Sequence, residues 1–334
     1  MINRLRGKCT IRLLSFAAFM MQVHRELEKL PAFRNAVITI GTFDGVHSGH
    51  QQIIAQLKKE ALAINGETVI ITFHPHPRKI ITSVPGDVQL LNTLEEKIEL
   101  LETAGIDHLV IIPFTQVFAN QPAEEYITHF LYRYFHPHTI ITGYDHRFGK
   151  DRLGDYHLLE KKGSELGYIV KEIPEQVMNE ITISSTRIRN ALKEHDITAA
   201  NQFLGYAYFF EGTVVKGNQL GRTIGFPTAN LHINSEEKLV PADGVYAVEV
   251  TPSSPLHKGT WKGMMNIGLR PTVDGKKRVI EVNLFDFNQD IYDTVLRVQV
   301  MHFIRTEAKF NGLDALKAQL KEDEIQARQL LTLV

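Results

Sequence analysis

The sequence predicts an α/β protein in two parts: a Rossmann-like domain on a parallel sheet, then a small antiparallel β-barrel closed by a C-terminal helix. Three observations carry this. Between Ala36 and Ile173, short β-branched runs alternate with segments of helical period. Past Gly205 the texture changes to short strands punctuated by glycine and proline. The chain has 334 residues, about twice a typical domain of roughly 150.

Residues 1–20 stand apart. Arg4, Arg6, Lys8 and Arg12 precede an apolar run from Leu13 to Met21, the order found in a signal peptide. No small-residue cleavage site follows at Gln22-Val23-His24, and the run is shorter than the roughly 20 residues of a membrane span. A start of translation at Met20 or Met21 is the preferred reading, which leaves residues 1–20 outside the fold.

Residues 37–41 read as a buried parallel strand. Ile53, Ile54, Leu57, Ala61 and Leu62 then give residues 49–65 a helical period, which Gly66 is expected to stop. Strands follow at 69–73, 109–114, 139–142 and 168–173, with helices at 94–104, 122–135 and near 156–166. Right-handed crossovers turn this pattern into an open parallel sheet whose ligands lie beyond the carboxyl ends of the strands. In the second part, strands are expected at 206–215, 228–233, 245–250, 261–267, 279–287 and 296–303. Such spacing closes into a small barrel. A helix over 313–331 places Leu313, Leu316, Leu320 and Ile325 on its apolar face. The boundary falls at Gly205, giving parts 21–204 and 205–334, and a fragment from about residue 206 is expected to keep its own activity.

Composition removes several function classes. Lys+Arg total 37 against 38 Asp+Glu, a formal charge of −1, so there is no basic footprint for nucleic acid. No membrane partner is expected. A single cysteine, Cys9, excludes an internal disulfide framework and a Cys-rich zinc site. The expectation is a cytoplasmic enzyme, and nothing in the sequence sets its oligomeric state.

Beyond the first strand lies Gly41-Thr42-Phe43-Asp44-Gly45-Val46-His47-Ser48-Gly49-His50. Glycines admit a ligand close to the backbone, and a helix opens there with outward-pointing N–H groups. His47 and His50, three apart, can reach one anion. The chemistry implied is attack of a phosphate on the α-phosphorus of a nucleotide, with charge stabilised by imidazoles and helix N–H groups. Two surface histidines in a glycine-rich turn, or a metal pair, are the competing readings. Ile183-Ser184-Ser185-Thr186-Arg187-Ile188-Arg189 opens another helix with hydroxyl caps and two guanidinium forks, the groups a triphosphate needs. Taken alone, that heptapeptide reads equally as an ordinary capped helix. Gly143-Tyr144-Asp145-His146-Arg147-Phe148-Gly149 lies at the same sheet edge, and His74-Pro75-His76-Pro77 reads as a rigid substrate loop.

These segments resemble the adenylyltransferase half of the bacterial bifunctional riboflavin kinase/FAD synthetase family, from about Gln22 to Leu204. The resemblance implies that Gly41, Phe43, Asp44, His47, Gly49, His50, Ser185, Thr186 and Arg189 bind ATP, with His47 and His50 catalytic. His146 departs from the family, which commonly has an aromatic residue there.

In the barrel, Gly217-Asn218-Gln219-Leu220-Gly221-Arg222-Thr223 is one residue short of a Walker A loop and carries Arg222 in place of lysine. It reads instead as a phosphate flap. Thr228-Ala229-Asn230 places two neutral oxygens on one strand face, which suits Mg²⁺ with nucleotide phosphates. Glu281 shares a face with Asn283, opposite Ile280, Val282 and Leu284. It is either a solvated carboxylate or the base for an alcohol attacking a γ-phosphate. Residues 205–331 resemble the riboflavin kinase module of the same family through Gly221-Arg222-Thr223-Ile224-Gly225-Phe226-Pro227-Thr228-Ala229-Asn230-Leu231 and Asn266-Ile267-Gly268-Leu269-Arg270-Pro271-Thr272. The resemblance implies ATP contacts at Gly217, Gly221, Arg222, Thr223, Thr228 and Asn230, with Mg²⁺ at the last two. It also implies Glu281 as general base and flavin contacts at Arg270 and Arg305. Asp293 stands where the family often has glycine. The activity implied is phosphorylation of riboflavin to FMN, then adenylylation of FMN to FAD with release of pyrophosphate. The alternatives are one active half, or a flavin-sensing regulatory protein.

Overall fold

A computed structural model describes residues 20–81, 88–143, 146–173, 183–217, 220–253, 259–272 and 275–332. The readings made on residues 1–19, on Tyr144-Asp145 and on Asn218-Gln219 lie outside the described residues. Strands β1 (Gln22–His24), β2 (Val37–Ile40), β3 (Thr68–His74), β4 (His108–Pro113), β5 (Thr139–Gly143) and β6 (Ile169–Ile173) form one parallel sheet. Their spatial order is β1-β4-β3-β2-β5-β6. From β2 the chain winds outward through β3 and β4, then crosses to β5 on the other side. The switch point therefore lies between β2 and β5, where such sheets bind ligands. Ile38, Ile40, Val69 and Ile71 enter one core, and Val37 and Ile70 enter the other, so β2 and β3 are buried on both faces.

Three sequence expectations need correction here. The strand β1 was not foreseen: two exposed residues and a half-buried histidine carry no periodicity, although Gln22 N–H donates to Asp107 O at 2.8 Å and Met21 is buried. The first helix is Ser48–Ala63, and its end is made by Asn65 at φ 49°, not by Gly66. Gly66 is needed for a different reason, since a Cβ there would fall 2.4 Å from Asn35 O. The helix expected over 122–135 widens into π-type turns over Tyr126–Tyr132.

Strands β7 (Phe209–Val215), β8 (Ala229–His232), β9 (Gly244–Pro252), β10 (Trp261–Thr272), β11 (Gly275–Leu284) and β12 (Val295–Arg305) close an antiparallel barrel in the order β10-β11-β8-β7-β12-β9. Ile280, Val282 and Leu284 point into its core, as the alternation requires. The closing helix spans Leu313–Thr332. Its buried face carries Asp323, Ala327 and Leu331, whereas Leu313 and Ile325 are exposed. Leu320 packs beside Ala327 and Leu331, and Leu313 and Leu316 line the adjoining cavity, so of the four expected positions Ile325 falls off this face. Asp323 accepts from two guanidinium nitrogens of Arg305 at 2.8 and 2.7 Å, which satisfies a carboxylate held on the buried face.

Two helices, Ser185–Lys193 and Ile197–Leu204, join the parts. Ile188, Leu192, Ile197, Ala200 and Leu204 enter the barrel core beside Tyr208 and Val248. Asn201 donates to Val300 O at 3.0 Å and accepts from Tyr208 N–H at 2.8 Å. This helix pair precedes Gly205 yet packs as part of the barrel.

Candidate active sites

The loop after β2 opens at the switch point. His47 caps the helix Ser48–Ala63, and its ring stacks on His50 with centroids 3.7 Å apart. Phe43, at φ 48°, packs against the other side of His50 at 4.8 Å. Val46 also takes a positive φ of 35°, a costly backbone that persists only where its surroundings hold it. Those surroundings are specific. Asp44 is 2% exposed. Its carboxylate accepts from Leu91 N–H at 2.9 Å and Asn92 N–H at 3.3 Å, and it pairs with Arg189. Ser185 Oγ donates to Asp44 O at 2.9 Å, and Arg189 Nε donates to Gln89 O at 2.7 Å. The loop and the Ile183–Arg189 run thus meet at Asp44. Ser184 is the helix cap, accepting from Arg187 N–H, and Thr186 is exposed on the same turn.

Both histidines are neutral near pH 7. Burial pushes the His47 imidazole down to about 4, against the opposing pull of Asp44. Burial, then the neighbouring His47 and Lys97, hold His50 well below the usual histidine range. Their Nδ1 atoms are buried with no hydrogen-bond partner, a condition that costs about 1–3 kcal/mol per group. Neutral imidazoles at a helix start can each donate one N–H to an anionic oxygen. His76 also faces this centre, pushed down by burial to about 4 and coupled to Asp44, Lys97 and Arg189. His146 stacks on Phe148 at 5.8 Å.

The barrel side reaches into this loop. Tyr206 Oη donates to Gly45 O at 2.6 Å, and Ser48 Oγ donates to Phe203 O at 2.9 Å. Lys238, fully buried, donates to Leu91 O at 2.6 Å and pairs with Glu96 at 2.5 Å. Sequence reasoning missed these residues because a lone lysine or tyrosine in a loop carries no pattern.

On the barrel, Glu281 of β11 lies directly across from Asn230 of β8 and Asn266 of β10. Its Oε2 accepts from Arg270 at 2.7 Å. Asn283, on the same face, is buried and donates to Pro227 O at 2.7 Å. Glu281 and Arg270 stand between two cavities. One, of about 640 Å³, is walled by Phe226, Met264, Leu316 and Leu320. The other, of about 1010 Å³, is walled by Lys216, Gly217, Asn230, His232 and Arg278. The first suits a flat apolar ring and the second suits anionic oxygens. Thr228 opens on the first cavity and Asn230 on the second, so they flank the Glu281 face from two sides. Gly217 covers Asn230 so closely that a Cβ would fall 2.3 Å from its amide. Gly221 and Thr223 form one turn, and Arg222 reaches Tyr292 Oη at 3.5 Å. Arg305 borders the apolar cavity but is committed to Asp323 and to Thr306 O. Asp293 adopts φ 61°, the conformation a glycine takes at that turn.

Comparison with known proteins converges on the same two parts. A family model for FAD synthetase matches residues 29–187, and one for riboflavin kinase matches residues 204–331. Bifunctional riboflavin kinase/FMN adenylyltransferases from Haemophilus influenzae and Escherichia coli are each 37% identical to this chain. The alignments cover 87% of this chain and 92% of the first relative, and 89% and 93% for the second. A solved structure described as a macrolide-efflux protein from Streptococcus pneumoniae superposes with a TM-score of 0.83 at 31% identity. The superposition covers 92% of this chain and 99% of that one, so the likeness is one of the whole fold. Among the described residues no helix is long and apolar enough to cross a membrane. With both modules present in order and the relatives matched over nearly their full length, this chain belongs to the bifunctional riboflavin kinase/FMN adenylyltransferase family.

Proposed function

We propose that the barrel phosphorylates the ribityl 5′-hydroxyl of riboflavin and that the α/β part adenylylates the resulting FMN, both with ATP, in the cytoplasm. The observation that carries the reading is the stacked His47–His50 pair with unpartnered buried nitrogens, set at the switch point of a nucleotide-binding sheet. In the kinase step the apolar cavity holds the flavin ring, and the polar one, bordered by Lys216 and Gly217, holds the phosphates. Glu281 then lies where the hydroxyl meets the γ-phosphate and accepts its proton through the oxygen that Arg270 leaves open. Thr228 and Asn230 offer neutral oxygens beside this carboxylate and fit Mg²⁺, which prefers a few hard donors plus waters and phosphates. When bound, the ion neutralises charge on the β- and γ-phosphates. In the second step no base is required, because the FMN phosphate is already ionised. His47, His50 and the helix N–H groups stabilise charge on the α- and β-phosphates, and Ser185, Thr186 and Arg189 hold the triphosphate.

Incubating the full chain with riboflavin and Mg·ATP, and resolving FMN from FAD, tests both halves at once. Both products are expected. His50→Ala should lower FAD formation by about 10²-fold, as loss of one such donor does, while FMN accumulates. Equal loss of both products, or FMN alone from the unaltered chain, would refute the assignment.

We also place the folding boundary ahead of the helix pair, since Ile188, Leu192 and Leu204 enter the barrel core, although Ser185, Thr186 and Arg189 serve the other half. A fragment starting at residue 183 should melt roughly 5 °C or more above one starting at 206, given about 4–8 °C per kcal/mol in a small domain. Equal melting temperatures would restore the cut at Gly205.

A further inference from the structure

Lys97 lies one residue past Glu96 on the helix Leu94–Thr103, whose first turn is fixed by a capping box between Thr93 and Glu96. Its side chain turns the other way, into the adenylylation centre. Nζ donates to Thr42 O at 2.7 Å, and Thr72 Oγ1 holds the same carbonyl at 3.2 Å. That carbonyl immediately precedes Phe43 and Asp44, so the ammonium fixes the point where the loop enters its strained conformation. Lys97 is 7% exposed, and among the described residues it has no carboxylate within ion-pair distance. The nearest acidic group, Asp44, is already paired with Arg189. With His47, His50 and His76 neutral, the positive charge around Asp44 comes from Lys97, Arg189 and, at the His76 side, Arg78.

We propose that Lys97 is a further residue of the adenylylation site, positioning the 41–47 loop through Thr42 and supplying the uncompensated positive charge that complements a nucleotide's phosphates. A buried lysine with one hydrogen bond and no counter-ion is costly, and an anionic polyphosphate in this loop would satisfy it. The groups facing it are Asp44 from the loop, His50 from the first helix and His76 from the segment after β3, with Arg189 beyond Asp44 on the helix Ser185–Lys193. Burial, opposed by Asp44, draws the ammonium down to about 8. The active form is protonated, so its contribution is present below that pH and is lost as pH rises through it. The histidines around it lose their protons at much lower pH and do not obscure this limb.

The inference rests on the adenylyltransferase reading, and the test separates the two. In the full chain, kcat/KM for ATP in FMN adenylylation should fall about tenfold per pH unit above pH 8. Lys97→Arg, which stays charged, should move that limb up by more than one unit. Lys97→Met should lose about 10²-fold at pH 7 and weaken binding of inorganic pyrophosphate at least fivefold. Riboflavin phosphorylation in the same samples reports folding. An unmoved alkaline limb in Lys97→Arg, or unchanged pyrophosphate affinity in Lys97→Met, overturns the proposal. If the unaltered chain binds pyrophosphate but makes no FAD, the functional reading fails, and the pyrophosphate titration of Lys97→Met still decides the role of Lys97.

Discussion

Glu281→Gln is expected to cut riboflavin phosphorylation by about 10²–10⁴-fold, the usual range for loss of a general base, with flavin affinity little changed. A primary alcohol is far too weak an acid to ionise near neutral pH, so its proton must leave as the bond to phosphorus forms. Glu281 has the required position, between an apolar and a polar cavity and across from Asn230. The side chain of its partner Arg270 is 55% exposed, so the ion pair is screened by water and holds the carboxylate only loosely. Glutamine keeps the shape and the contact with Arg270 but cannot take the proton. Adenylylation of supplied FMN should continue unaffected. FMN production within threefold of the unaltered chain would show that Glu281 is a solvated strand residue and that the kinase mechanism is wrong.

The second large effect concerns folding as much as chemistry. Asp44→Ala removes the carboxylate that compensates Arg189 and accepts from Leu91 and Asn92 N–H. Breaking a buried pair from one side costs about 3–5 kcal/mol, because the remaining charge and donors stay buried without partners. Urea unfolding should register that loss in the α/β part, and FAD synthesis should disappear. A change below about 1 kcal/mol, within the range of an exposed pair, would mean that water replaces the carboxylate and that the loop is not held as described.

Much of this was legible in the sequence. The five longer strands of the sheet and all six barrel strands were expected near their observed positions, because each has a length and alternation that a short window detects. The loop from Gly41 to His50 and the run from Ile183 to Arg189 were identified as parts of one site, and Asp44 is where they touch. Less was legible wherever a charge is buried. Asp323 of the closing helix is buried and paired with Arg305, and helical period alone does not show that a carboxylate sits there. Lys97 was read as part of a helical period, since no sequence rule shows which lysine turns inward toward a carbonyl 55 positions away. The boundary at Gly205 followed a change of texture. Texture reports local conformation and not which core a helix joins.

The buried Lys238–Glu96 pair has a consequence for how such a chain can change over time. Lys238 belongs to the stretch matched by the kinase family and Glu96 to the stretch matched by the synthetase family. The same lysine also donates to Leu91 O, next to the residues that hold Asp44. Neither half is therefore freely interchangeable with its counterpart from a distant relative. A graft lacking the lysine would strand a buried carboxylate, and one lacking the glutamate would strand a buried ammonium. A change at position 96 therefore has its cost set by what stands at position 238, across the join between the two modules.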